Sequence, residues 1–172
     1  MDRIGKRDMQ FQERYDFLKT AIARYDGYYN LAAVKASLLL TSNAVLLAPG
    51  LGEQGEFMRI AGSAGASRAL VFAAATLSLV SIACAAWVMA STLARHPGRE
   101  ADSLMFSESV AAMDEDAYVA AVARADHAVV LDGLARLAHR LAAGISRKFR
   151  LINLSLAALV AAVACAFAAL LA

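Results

Sequence analysis

The sequence predicts an all-α integral membrane protein with three transmembrane helices, the first and last extended into a small cytosolic helical bundle. Three observations predict it. Hydrophobic residues make up 60% of the 172 positions and the mean hydropathy is +0.53, values that fit a membrane chain better than a globular one. Three apolar stretches are long enough for a hydrocarbon core that takes about 20 helical residues to cross. Only two prolines, Pro49 and Pro97, punctuate the chain, and both lie between apolar stretches, where helices end.

Residues 1–29 read as a cytosolic amphipathic helix. Phe11, Tyr15, Leu18, Ile22, Tyr25 and Tyr29 recur at alternating fours and threes, the 3.5-residue period of a coiled-coil seam. Arg7 and Arg14 flank the stripe, whose natural partner is the stripe of the C-terminal helix, within one chain or between subunits. Six basic and five acidic side chains fall in the first 27 residues, so no apolar signal-peptide core is expected there.

Residues 30–93 hold two transmembrane helices joined by a short external loop, 50–68. The first span, about 30–48, contains Lys35 near its cytosolic end, where a long side chain reaches the headgroups. Pro49 and Gly50 stop it, and Gly52, Gly55, Gly62 and Gly65 mark the loop. The second span, about 69–93, carries Trp87 toward its cytosolic end, as interfacial aromatics often do. Small residues four apart, such as Ser81 with Ala85 and Ala158 with Ala162, allow close helix approach.

Residues 94–150 form the cytosolic helical segment. After a break at His96, Pro97 and Gly98, a short helix is expected over Glu100–Met113, capped by Asp102. From Asp114, an N-cap followed by Glu115 and Asp116 at the positive end of the dipole, one unbroken helix is expected to Ala172. Val119, Ala123, Val130, Leu134, Leu137, Leu141, Ile145 and Ile152 share one face at about 100° per residue. The third transmembrane helix, 151–172, has no charged residue.

Basic residues orient the chain. Six of the 17 Lys and Arg precede Tyr29, two lie in the loop and eight lie from Arg95 to Arg150. The positive-inside rule then puts the N-terminus and residues 94–150 in the cytosol, and the loop and the C-terminus outside.

Catalytic signatures are missing from the sequence, which has no phosphate loop, HExxH, CxxC or serine elbow. The expectation is a protein that is not an enzyme and holds no metal or cofactor. Cys84 and Cys165 read as reduced thiols within apolar spans, and His96, His127 and His139 lack metal-ligand spacing. Asp126 and His127 bracket the apolar stripe, and Lys148 falls in its middle. Lys148 either snorkels to headgroups or, with the other two, lines a ligand pocket, because ionisable groups on a packed face need partners. Arg136, Arg140 and Arg147 form a column that suits a solvated face, anionic lipid or a small anionic ligand. Nucleic acid is not expected as a partner, since acidic residues accompany the basic ones.

The order of Lys35-Ala36-Ser37 entering the first span, Arg95-His96-Pro97 after the second, Leu104-Met105-Phe106-Ser107, Tyr118 after an acidic turn, and Ala142 to Arg150 with Lys148 resembles the transmembrane effector family of bacterial Pycsar antiphage defence systems. The chain departs from the family pattern at Ala33, where an acidic or polar residue is common, and at Met105, where a second aromatic is. The resemblance implies a cytosolic sensor of cyclic UMP or cyclic CMP, made by a partner pyrimidine nucleotide cyclase. It also implies impairment of the bacterial inner membrane, abortive infection and a homo-oligomer. A cyclic mononucleotide needs a cation, a polar acceptor and an aromatic or apolar wall. Arg136, Arg140 or Lys148 would meet the phosphate, Asp126 or Asp132 the ribose, and Tyr15, Tyr25 or Phe106 the base, with His127 beside them. The alternative is a structural or scaffold membrane protein that oligomerises or recruits a partner through its amphipathic helices.

Overall fold

The computed structural model describes residues 2–48, 60, 65–90, 104 and 107–171. The all-α expectation holds: among the described residues there is no strand. The elements are α1 (Asp2–Leu47), α2 (Ala66–Ala90), α3 (Ser107–Ala111), α4 (Glu115–Arg124) and α5 (His127–Leu171). Three of them, α1, α2 and α5, are long and apolar enough to cross a membrane.

Helix α1 is continuous for 46 residues, as the unbroken seam demands. The expected stripe of Phe11, Tyr15, Leu18, Ile22, Tyr25 and Tyr29 is half-buried along its whole length. The same spacing then continues through Ala32, Ala36, Leu39 and Asn43, all buried. A strict seven-residue repeat therefore runs through polar and apolar parts alike, which keeps one face toward its partners only if the helices supercoil. Buried positions on α2, Ala74, Ser78, Ser81, Ala85 and Val88, follow the same fours and threes.

The single helix expected from Asp114 to Ala172 is corrected. It is two helices, broken at Ala125, which is extended at φ −66° and ψ 123°. The cause lies in Asp126, whose Oδ1 accepts the Val129 N–H at 2.8 Å while its carbonyl accepts Val130 N–H at 3.1 Å. Aspartate competes for backbone donors in this way and favours the N-cap over the helix interior. Asp114 does stand at the N-cap of α4, but through its carbonyl, which accepts Tyr118 N–H at 2.9 Å, and not through its side chain. The short helix expected over Glu100–Met113 is described only as Ser107–Ala111; Asp102 and most of the loop 50–68 lie outside the described residues. Gly65, at φ +112°, precedes α2 in a conformation that other residues rarely adopt.

The chain divides into two compact units. The first comprises Met1–Tyr29 and Leu93–Ile145, and the second Asn30–Thr92 and Ser146–Ala172. The second is cored by Ala32, Ala36, Leu39, Ala85, Val88, Ile152 and Leu159, with Leu40, Leu46, Phe149 and Val163 against it. Large apolar side chains such as Leu38, Val45, Leu79, Val160 and Phe167 point outward. That inversion of the usual inside and outside suits lipid as solvent.

Candidate functional site

In the first unit, α1 and α5 run parallel. Phe11 stacks on His127 with centroids 4.0 Å apart and planes at 18°, and on Tyr15 at 5.9 Å. His127 occupies this place because Asp126 starts α5 immediately before it. Further along the same pair, the Tyr29 hydroxyl fills the space that a Cβ on Gly144 would need. Glycine at 144 thus leaves room for Tyr29 against α5.

Beside the seam lies an open groove of about 470 Å³, lined by Glu13, Arg14, Phe17 and Leu18 of α1 and Leu131, Asp132 and Ala135 of α5. Its volume is within the range of small-ligand sites. Asp132 Oδ2 accepts a hydrogen bond from Arg136 Nε at 2.7 Å, an exposed pair one helical turn apart. Phe17 is 71% exposed, unusual for a large aromatic and available for stacking.

Of the residues singled out in the sequence, Tyr15 and His127 are joined through Phe11, and Asp132 with Arg136 borders the groove. Tyr25 and Arg140 are half-buried in the same unit, and Asp126 is exposed there. Lys148 is half-buried in the second unit. Phe106 lies outside the described residues. Arg14 and Phe17 were overlooked as site residues because both fall off the apolar stripe. Their position flanking the seam, where a parallel helix pair leaves a groove, was the available signal.

In the second unit Lys35 Nζ sits 5.4 Å from the Phe149 ring centroid, a cation–π arrangement. Deeper in, a polar node joins three helices. Asn43 Nδ2 donates to Ser81 Oγ at 2.9 Å and to the Leu39 carbonyl at 2.8 Å. The Ser81 hydroxyl donates to the Ser155 carbonyl at 2.9 Å, and the Ser155 hydroxyl returns a bond to the Ser81 carbonyl at 2.8 Å. All of Asn43, Ser78, Ser81 and Ser155 are fully buried. Interhelical hydrogen bonds inside membranes average about 0.6 kcal/mol, so three contribute roughly 2 kcal/mol. An unsatisfied buried polar group costs about 1–3 kcal/mol, and the node holds two, Asn43 Oδ1 and Ser78 Oγ. The node therefore adds little net stability, and its value is in register or function. Asn43 occupies a seam position where α1 otherwise places Leu39 and Ala36, a signal the sequence offered.

Among the described residues, no group of three or more His, Cys, Asp or Glu could hold a metal ion. Cys84 and Cys165 are free thiols.

No curated protein and no solved structure matches the chain. A family model does: the Pycsar effector protein domain, PycTM, matches residues 17–172. That stretch takes in α1 from Phe17 onward, the groove lining other than Glu13 and Arg14, the node, and the whole of α2 and α5, and this membrane protein accordingly belongs to the Pycsar effector family.

Proposed function

We propose that the chain is the membrane effector of a Pycsar antiphage system, sensing cyclic UMP or cyclic CMP in the cytosol and then impairing the integrity of the bacterial inner membrane. Abortive infection follows, with a pyrimidine nucleotide cyclase supplying the signal. The protein itself acts without catalysis. The N-terminus and residues 94–150 face the cytosol, residues 50–68 and the C-terminus lie outside, and the three spans are about 30–48, 69–93 and 151–172.

One observation carries the reading beyond family membership. Helices α1 and α5 each pass without a break from the first unit into the second, so a ligand that prefers one packing of the seam biases helices that enter the bilayer. The groove is the place we assign to that ligand. Arg14 meets the phosphate, Phe17 the pyrimidine face, and Asp132, with Oδ2 held by Arg136, offers Oδ1 to the ribose hydroxyl. Arg140, His127, Tyr15 and Tyr25 belong to the same unit and shape the seam that the ligand reads, and Asp126 sets where α5 begins. Lys148 transmits the change at the membrane edge. The test is thermal unfolding of the detergent-purified chain. A rise in Tm with cyclic UMP or cyclic CMP and none with cyclic AMP is expected, and no shift with any cyclic nucleotide overturns the reading.

The competing reading, a scaffold that assembles through its amphipathic helices, is favoured by the apolar side chains exposed on the first unit, Phe17, Val119, Val122 and Val129. It requires tight association without ligand and no toxicity when the cyclase is active.

A further inference from the structure

We propose that the node of Asn43, Ser78 and Ser81 binds water between the three spans, and that the bundle first hydrates there when the spans part. The second half of this statement rests on the membrane-impairing function above; the first does not.

Among the described residues, only one end of the Asn43 amide is satisfied. Its Nδ2 faces the Leu39 carbonyl, an acceptor only, so the orientation of the amide is fixed by chemistry and Oδ1 must be the atom directed away. Oδ1 is buried and, among the described residues, has no donor. Every backbone N–H in the middle of a helix is already committed to the turn before it, so a side-chain acceptor in a helical bundle cannot be satisfied by the backbone. A hydroxyl has an escape, as Thr76 shows by donating to the Phe72 carbonyl at 2.9 Å. Ser78 does not take it: its Oγ is likewise buried and unpaired, three residues from Ser81 and hence on the same face of α2.

Both orphan groups belong to residues with no exposed surface, which rules out a second copy of the chain or a lipid headgroup as their partner. A molecule small enough to sit inside the bundle and able to donate to a carbonyl and exchange bonds with a hydroxyl is water. Depth makes this consequential. At 1.5 Å per residue Lys35 lies about 12 Å before Asn43 on α1, and Lys148 about 10 Å before Ser155 on α5. Water at the node is therefore held roughly a third of the way into a hydrocarbon core of about 30 Å, behind the cationic edge. The face between is lined on α1 and α5 by Ala36, Leu39 and Ile152, apolar side chains without a polar partner for water until a separation opens the way.

Water-edited solid-state NMR of the full chain in lipid bilayers tests the site without any ligand. Rapid magnetisation transfer from water to the Asn43 amide and to Ser78 is expected, well above that to Ala85 and Val88, which are equally buried but apolar. Transfer no faster than to those two overturns the proposal. In Asn43→Leu the transfer to Ser78 should fall several-fold; Ser78→Ala, which leaves the Ser81–Ser155 bonds intact, provides the second variant should Asn43→Leu fold poorly, and in it transfer to Asn43 should fall instead. For the opening step, proton leak from vesicles reconstituted with Asn43→Leu should drop several-fold while the Tm response to cyclic nucleotide persists. Undiminished leak with that response intact refutes the node as the point of hydration. If the unaltered chain shows neither leak nor Tm response, the functional reading fails, and the NMR result alone decides the water site.

Discussion

Replacing Gly144 by alanine tests the packing of Tyr29 against α5 in the first unit. In an exposed helix interior this substitution stabilises by about 1 kcal/mol, because glycine has more backbone freedom to lose. Here the new Cβ would overlap the Tyr29 hydroxyl. Tyrosine has two side-chain torsions and Tyr29 is half-buried in the seam, so it can retreat only by leaving its rotamer or by pushing α1 from α5. Overpacking of that kind costs about 1–3 kcal/mol, which outweighs the helix gain. We expect Gly144→Ala to lose about 1 kcal/mol, or roughly 3 °C in Tm for a chain of this size. Tyr29→Phe removes the overlapping hydroxyl and leaves only the ring carbon Cζ in close contact at 3.3 Å, so the double variant should recover most of the loss. The assay is thermal unfolding in detergent across the four members of the cycle, read as a coupling energy of about 1–2 kcal/mol between neighbours. A rise in Tm for Gly144→Ala in the unaltered background, or no coupling, would refute the packing described between Tyr29 and Gly144.

The remaining expectations concern the cap, the node, the signal and the orientation. Asp126→Ala removes the acceptor for Val129 N–H and should cost about 1 kcal/mol, measured by Tm, with Asp126→Asn or Asp126→Ser close to the parent. Asn43→Asp places a carboxyl in a fully buried membrane position and should destabilise by about 3 kcal/mol, seen as loss of folded protein at neutral pH with partial recovery on acidification as the group becomes neutral. Lys148→Glu should abolish the cyclic nucleotide response while Lys148→Arg keeps it; an unchanged response removes Lys148 from signalling. In a background with Cys84 and Cys165 replaced by alanine, a membrane-impermeant thiol reagent applied outside the cell should label Gly62→Cys and not Ser109→Cys, and labelling at Ser109→Cys alone reverses the assigned topology.

The seam of α1 was legible because a period of fours and threes is a property of spacing. Every predicted position from Phe11 to Tyr29 is half-buried on one face, and Lys148 lies half-buried among the seam residues of α5, as its place in the stripe indicated. The continuous helix from Asp114 was the failure. Its apolar positions keep helical spacing across residues 125 and 126, so periodicity alone carried the helix through. Aspartate is tolerable within a helix and good at its start, and the choice here went to the cap, with His127 then set against Phe11. The groove was missed for a different reason: Arg14 and Phe17 look like ordinary off-stripe residues until a second helix lies parallel beside them.

What the sequence determined by itself was therefore what depends on one chain segment and its solvent: helical class, three apolar lengths, and the buried face of α1 and of α5 from Val130 onward, whereas Val119 and Ala123, expected on the same stripe, are exposed. Hydropathy and period are sums over neighbours in sequence, and they need no partner to be evaluated. Only tertiary structure decided which seams meet, that α1 and α5 run parallel, that Gly144 yields its space to Tyr29, and that Asn43, Ser81 and Ser155 share one node. Residues 43, 81 and 155 are far apart in the chain, and a polar side chain gives no sign of its partner until packing has excluded every other. That same packing leaves Asn43 Oδ1 and Ser78 Oγ unpaired, because helices brought together by small residues at a seven-residue repeat supply carbonyls in plenty and free N–H groups hardly at all.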